Sequence, residues 1–331
     1  MVVAIPPGVP PRRGGIRSLA SSALGRRIAW LRHFTAVVGL VAAVVVIIQR
    51  MPDANGIIAS LRAASVGWLA IAALGYAASV LMFAEQQRVL LRAHNVNLPF
   101  SRLSSVSVVR SAIAVTMPGG SAVSAAYAFH QYRRAGTSRS TATNVVILTG
   151  LSSLLGLAVL YLGQTLTIHA AELKSWLTMH AEHVVAGAVA TVGMTVALRQ
   201  AVGRRPRRVL GSVSLRAWMI ALCAAATSWL ADLVSLYAAV MAAHLTVSIW
   251  ALGSIFLVIH AARQFSITPG GVGVIEASLI AGLISLSGNP AAALIATLGY
   301  RLVSFWLILP LGLAAWWMLY RMPPGRTAPA I

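Results

Sequence analysis

The sequence predicts an all-α polytopic membrane protein with about six full spans and two re-entrant Pro-Gly-Gly hairpins arranged as an inverted repeat. Three observations carry this. Of 331 residues, 58% are hydrophobic and only 10% charged, which excludes an ordinary soluble multidomain chain. Apolar runs near the length of a bilayer crossing, about 20 residues, recur from Phe34 to the last residues. Finally, the helix-breaking triplet Pro118-Gly119-Gly120 recurs as Pro269-Gly270-Gly271, a shift of 151 residues that also superimposes the residues after each break. Broken helix inside hydrocarbon is tolerated only where protein or a watery cavity covers the freed backbone groups. Two breaks at matching places in two halves point to a transporter-type site at the repeat interface.

The organisation follows in chain order. Residues 1–33 read as a disordered basic tail and an interfacial helix, with Arg17, Arg26, Arg27 and Arg32 flanking apolar residues at helical spacing. Residues 34–320 form a single transmembrane domain, and 321–331 a cytoplasmic tail. Full spans are expected at 34–49, 66–84, 142–163, 184–198, 217–243 and 291–320. Glu85 to Arg92 reads as a basic connector. The segments 103–116 and 121–131 are too short for comfortable crossings and read as the first hairpin. Segments 250–268 and 272–286 form the second. The unit 66–163 then recurs inverted as 217–320.

Charge fixes the orientation. The net charge of +20 lies mostly in short segments between spans, as positive-inside bias and anionic lipid require, rather than in a nucleic-acid surface. Both termini are therefore placed in the cytoplasm, while Asp53, Glu172 and Glu182 fall on the other side. Cys223 is the only cysteine, so no disulfide forms within the chain. The basic lead before the first span has no cleavage site of signal type, and that span is expected to stay as an anchor. His169, Glu172, His180, Glu182 and His183 fit an amphipathic helix at the outer interface better than a metal site. No metal, cofactor or catalytic residue is predicted, since no phosphate-cradling loop or nucleophile–base arrangement occurs. Glu85 with His94 is the nearest approach to an acid–base pair.

Five charges fall inside apolar stretches: Arg110, Arg263, Arg301, Asp232 and Glu276. Each costs about 2.5–3.5 kcal/mol at a helix centre on insertion scales, so they are expected to face the bundle interior. Glu276 lies early in the helix after Gly271, where the macrodipole favours a carboxylate. Three cations against two anions leave one positive charge, and the freed N–H groups after each Gly-Gly add to it. The set describes a cavity for an anionic group such as phosphate. The same residues also fit purely structural ion pairs, Arg263 with Glu276 and Arg301 with Asp232. His260, one turn from Gln264, reads as a satisfied bundle histidine.

The segments Thr268-Pro-Gly-Gly-Val-Gly-Val-Ile-Glu-Ala277, Gly299-Tyr-Arg-Leu-Val-Ser-Phe-Trp306 and Met117-Pro-Gly-Gly120 resemble the lysylphosphatidylglycerol synthase transmembrane-domain family over about residues 34–320. Where the family often carries an acidic residue after its first motif, this chain reads Ile147-Leu-Thr-Gly-Leu-Ser152. The resemblance implies a flippase-like protein of the bacterial plasma membrane, here without an aminoacyl-transferase domain. It implies transport of an anionic phospholipid or polyprenyl-phosphate-linked lipid. The alternative is a membrane-embedded enzyme subunit, or a glycosyltransferase partner, acting on lipid head groups. The expected partners are an anionic membrane lipid and a lipid-modifying enzyme, not nucleic acid.

Overall fold

A computed structural model of the chain describes residues 62–117, 119–168, 213–265 and 273–321. Over these residues the regular structure is helical. We name the helices α1 (Val66–Arg92), α2 (Phe100–Thr116), α3 (Gly120–Arg134), α4 (Arg139–Ile168), α5 (Leu215–Ala242), α6 (Ile249–Phe265), α7 (Val274–Ser287) and α8 (Pro290–Arg321). Four of them, α1, α4, α5 and α8, are long and apolar enough to cross a membrane. At most a third of their apolar windows is buried within the protein. Leu74 on α1, Leu162 on α4 and Trp306 on α8 all point outward, so the rest of each apolar surface needs lipid to cover it. The expected spans at 34–49 and 184–198 lie outside the described residues.

The sequence reading needs a correction in α1. Glu85 to Arg92 is not a connector, because α1 continues through it to Arg92. Gln86 and Gln87 are fully buried there, and their amides are satisfied by neighbouring helices, which makes the extra two turns stable. Glu85 pairs locally with Arg88 at 2.9 Å, and His94 Nδ1 lies 2.9 Å from the Leu90 carbonyl oxygen. Glu85 and His94 therefore sit in local helix contacts rather than in an acid–base pair.

The short helices keep the proportions that the sequence anticipated. α2 has 17 residues and α3 has 15, reaching only about 26 and 23 Å against a hydrocarbon core of about 30 Å. Between them Gly119 adopts a left-handed conformation at φ +63° with open space around it, whereas a Cβ on Gly120 would run into the Ala114 backbone carbonyl. The two glycines serve different needs, one conformational and one steric. Gly119→Ala is expected to cost about 1–2 kcal/mol through left-handed strain. Gly120→Ala must force α2 and α3 apart, so its loss of thermal stability should be clearly larger in parallel melts. Equal losses would mean that close approach of the two backbones is unimportant.

The order long–short–short–long occurs twice, with 27, 17, 15 and 30 residues in α1–α4 and 28, 17, 14 and 32 in α5–α8. The packing follows the same scheme. α1 packs on α5, α2 on α8, and α6 on α4. Between α1 and α5 the contacts run in opposite directions. Ser65 N–H donates to the Ala242 carbonyl at 2.9 Å, Ser235 Oγ–H to that of Ala72 at 2.8 Å, and Ser228 Oγ–H to that of Ser79 at 2.9 Å. As one index rises the other falls, so the first helices of the two halves are antiparallel. Small residues permit this approach, since a Cβ on Gly75 would meet the Ala231 oxygen and the Ser235 nitrogen at 3.1 Å. Two long-range bonds mirror each other across the halves. Tyr76 O–H donates to the Ser304 carbonyl at 3.3 Å, and Trp229 Nε1–H to that of Ser153 at 2.9 Å. The acceptors are again 304 − 153 = 151 residues apart.

α8 is not one uniform rod. Its residues Leu302–Leu307 form a π-helical stretch, between the α-helical segment ending at Arg301 and the turn containing Pro310. Proline lacks the N–H that would bond four residues back, and its ring crowds that carbonyl. A widened stretch just before it accommodates both defects.

Candidate functional site

The polar groups of the first half converge where α1 to α5 meet. A cavity of about 350 Å³ opens there, bordered by Tyr76, Ser79 and Phe83 of α1, Arg110 of α2, Gly120 and Ser124 of α3, Thr149 and Ser153 of α4, and Ser228, Trp229 and Asp232 of α5. Arg110 reaches it by helical periodicity. Leu103, Val106, Ser107 and Arg110 share the buried face of α2, so the guanidinium is carried inward with its apolar neighbours.

Among the described residues, every group that holds Arg110 is neutral. Its Nη1–H donates to Gln87 Oε1 at 2.7 Å and its Nε–H to Ser124 Oγ at 3.3 Å. The guanidinium carbon lies 4.7 Å from the centre of the Phe83 ring. Gln87 is itself held rigidly. Its Oε1 also accepts from Tyr132 O–H at 2.5 Å, while its Nε2–H groups donate to the Phe83 carbonyl and to Ser107 Oγ. Among the described residues no carboxylate pairs with Arg110. A buried cation with only dipoles around it keeps its full charge and has given up most of its hydration.

The second half organises its charges differently. Arg301, buried at the end of the first α8 segment, donates from Nε to Glu276 Oε1 at 2.6 Å. Its guanidinium also lies over Phe305, one turn on, at 4.7 Å. Glu276 is the third residue of α7, and its Oε2 accepts from the Gly273 N–H at 2.7 Å. One carboxylate therefore caps a helix start and balances a buried cation. Asp232 accepts from Tyr300 O–H at 3.0 Å, and His260 Nε2 lies 3.6 Å from its other oxygen. The His260 ring packs against Phe256 and Trp229, at 4.1 and 5.1 Å between centroids.

Residues 34–312 match the family described as the lysylphosphatidylglycerol synthase TM region. The chain belongs to that family. It is accordingly a multi-pass integral membrane protein. No curated protein matches it.

Within this lysylphosphatidylglycerol synthase TM-region fold, the five charges singled out from the sequence fall into two groups. Arg110 and Asp232 border the cavity, and Gly120, from the first hairpin tip, borders it with them. Arg301 and Glu276 form an ion pair outside its lining. The groups are joined through the chain, because Tyr300, the partner of Asp232, immediately precedes Arg301. Arg301 forms its close ion pair with Glu276, whereas the purely structural alternative set Arg301 against Asp232. Arg263 lies on α6, but its side chain is outside the described residues, as are Pro118, Pro269, Gly270 and Gly271.

The sequence reading missed Gln86 and Gln87. Gln86 donates to the Thr149 carbonyl at 3.0 Å and to Ser152 Oγ at 2.7 Å, fixing α4 beside the cavity. The available signal was two adjacent uncharged amides on a helix that never stops being helical between Ala84 and Val89. The charges on Glu85 and Arg88 hid it.

Proposed function

We propose that the protein is a lipid flippase or transporter that moves an anionic phospholipid, or a lipid linked to polyprenyl phosphate, between the leaflets. On this reading it is not an enzyme. The observation that carries the reading is buried Arg110, held among the described residues by neutral groups only, at a cavity shared by helices of both halves. A lipid phosphate entering a low-dielectric interior faces a large desolvation cost. A guanidinium that is already desolvated and already oriented by Gln87 and Ser124 offsets that cost with charge-assisted hydrogen bonds. Arg301, oriented by Glu276, extends the positive field from the second half.

The antiparallel packing of α1 on α5, the repeated helix order and the mirrored Tyr76 and Trp229 bonds support an inverted repeat. Inverted halves rocking about a central site would open it to one leaflet and then the other. In the orientation we propose, in a bacterial plasma membrane, both termini are cytoplasmic, with Ser101 inside and Gly288 outside. Single cysteines at these positions in a Cys223→Ser background should label from opposite sides. Labelling of both from one side contradicts the inversion.

The function itself is tested by movement of labelled anionic lipid in proteoliposomes. The wild-type protein should accelerate it, and Arg301→Lys should lose most of the effect while still folding, because an ammonium keeps the charge opposite Glu276 but loses the planar fork and the Phe305 stack. Full transport by Arg301→Lys would reduce that ion pair to scaffolding. No movement by the folded wild type would overturn the transport reading.

A further inference from the structure

We propose, building on the transport reading, that Arg102 and Arg134 form a second site, where the phosphate of an anionic lipid docks at the membrane surface before it reaches the cavity. Both lie at the base of the first hairpin, Arg102 in the opening turn of α2 and Arg134 at the end of α3. In the orientation proposed above, this base faces the cytoplasmic leaflet. Basic residues collect on that side of membrane proteins generally, but they ordinarily reach water, as Arg92, Arg133 and Arg139 do. Arg102 is only 7% exposed. Its basic neighbours in the fold are used locally: Arg88 has Glu85 and the Phe100 ring, and Arg133 donates to the Thr137 carbonyl. Among the described residues Arg102 has no hydrogen bond, ion pair or ring contact.

The surroundings of Arg102 add positive charge instead of balancing it. The charge of Arg134 bears on it. The start of α2 contributes the positive end of a 17-residue helix, and Pro99 at the N-cap offers no side chain to take its first N–H groups. One anion would satisfy the buried guanidinium, exposed Arg134 and the uncapped helix start together. Depth decides what carries that anion. α8 packs antiparallel on α2, with Gly312 against Ala112 and with Ala315 and Leu319 beside Val106 and Val109, so α8 ends at the level of Arg102. Trp316, Trp317 and Tyr320 are exposed there, as aromatics at the head-group level are. A phosphate at that level belongs to a lipid. A polar stripe then leads inward along α3, where Arg134, Gln131, Tyr127 and Ser124 fall on one side at helical spacing, and Ser124 accepts from Arg110. On α2, Arg102 and Arg110 are eight residues apart, about 12 Å. Arg134 stays in water, so this contact is weaker than the one at Arg110 and loads lipid without retaining it through purification.

The test is calorimetric titration of the purified full chain in detergent, carrying Arg110→Gln so that the cavity's cation is absent. The probes are dihexanoyl phosphatidylglycerol, dihexanoyl phosphatidylcholine and inorganic phosphate. Phosphatidylglycerol should still bind, tighter than the other two by roughly tenfold or more, the value of a hydrogen bond to a charged group. Adding Arg102→Gln should abolish this binding without lowering the melting temperature, since it strands no partner, and Arg102→Lys should keep part of it. In proteoliposomes, Arg102→Gln alone should raise the fraction of labelled phosphatidylglycerol needed for half-maximal flipping roughly tenfold, far more than it lowers the maximal rate. If Arg102→Gln does not fold, Arg134→Gln, at an exposed position, should weaken the binding and raise the half-maximal fraction instead. Equal phosphatidylglycerol binding with and without Arg102→Gln overturns the proposal. So does inorganic phosphate binding as tightly as the lipid, which would make this a site for soluble anions. Binding that depends on Arg102 without flipping by the wild type would remove the transport reading alone. Flipping with an unchanged half-maximal fraction in Arg102→Gln would remove this inference alone.

Discussion

Glu276→Gln is expected to lower stability by about 3 kcal/mol, the lower end of the 3–5 kcal/mol typical when one partner of a buried ion pair is removed. The lower end applies because the Glu276 side chain is 22% exposed, while that of Arg301 is only 6% exposed. Glutamine keeps an oxygen that can still accept from the Gly273 N–H, so the α7 start remains capped and the loss reports the ion pair itself. Arg301→Gln combined with Glu276→Gln should recover part of the loss, since no charge is then stranded. A double-mutant cycle followed by thermal unfolding would measure the coupling. Additive losses would mean that the 2.6 Å contact contributes nothing as a pair.

Arg110→Gln should do the reverse. Because Arg110 has no carboxylate partner among the described residues, neutralising it strands no opposite charge. Stability should hold or rise, as it does where a costly buried charge is kept for function. Lipid movement should fall by roughly 10- to 100-fold, the loss of one or two charge-assisted hydrogen bonds to the phosphate. Arg110→Lys should also lose activity, because an ammonium cannot hold Gln87 and Ser124 and still present a planar face to an anion. The two residues thus separate two uses of buried charge. Glu276 balances a cation, and Arg110 is left for something else to balance.

Much of this was legible in the sequence because it rests on periodicity and on the cost of charge in hydrocarbon. The long–short–short–long pattern followed from where apolar runs outlast a bilayer and where Pro-Gly-Gly cuts them. Glu276 as a helix-start carboxylate followed from its distance to the break. The partners of the charges were not legible. Arg301 lies near both Tyr300 and Phe305 in the chain, yet only the crossing of α7 and α8 decides that Glu276 receives its Nε–H. The roles of Gln87 and Tyr132 were hidden for another reason. Neutral amides and phenols carry no signal of burial in one dimension, and the charges beside Gln87 resembled a loop. The steric demand at Gly120 depends on how closely α3 returns to α2, which no local pattern encodes.

The central claim is that Arg110 holds an anionic lipid head group inside the membrane domain. Native mass spectrometry of lipids retained by the purified protein tests it most directly, with wild type and Arg110→Gln prepared side by side. The wild type should retain anionic lipids well above their share of the membrane, and Arg110→Gln, equally stable, should lose that enrichment. A uniformly neutral lipid set on the wild type, or the same anionic enrichment on both proteins, would contradict the account.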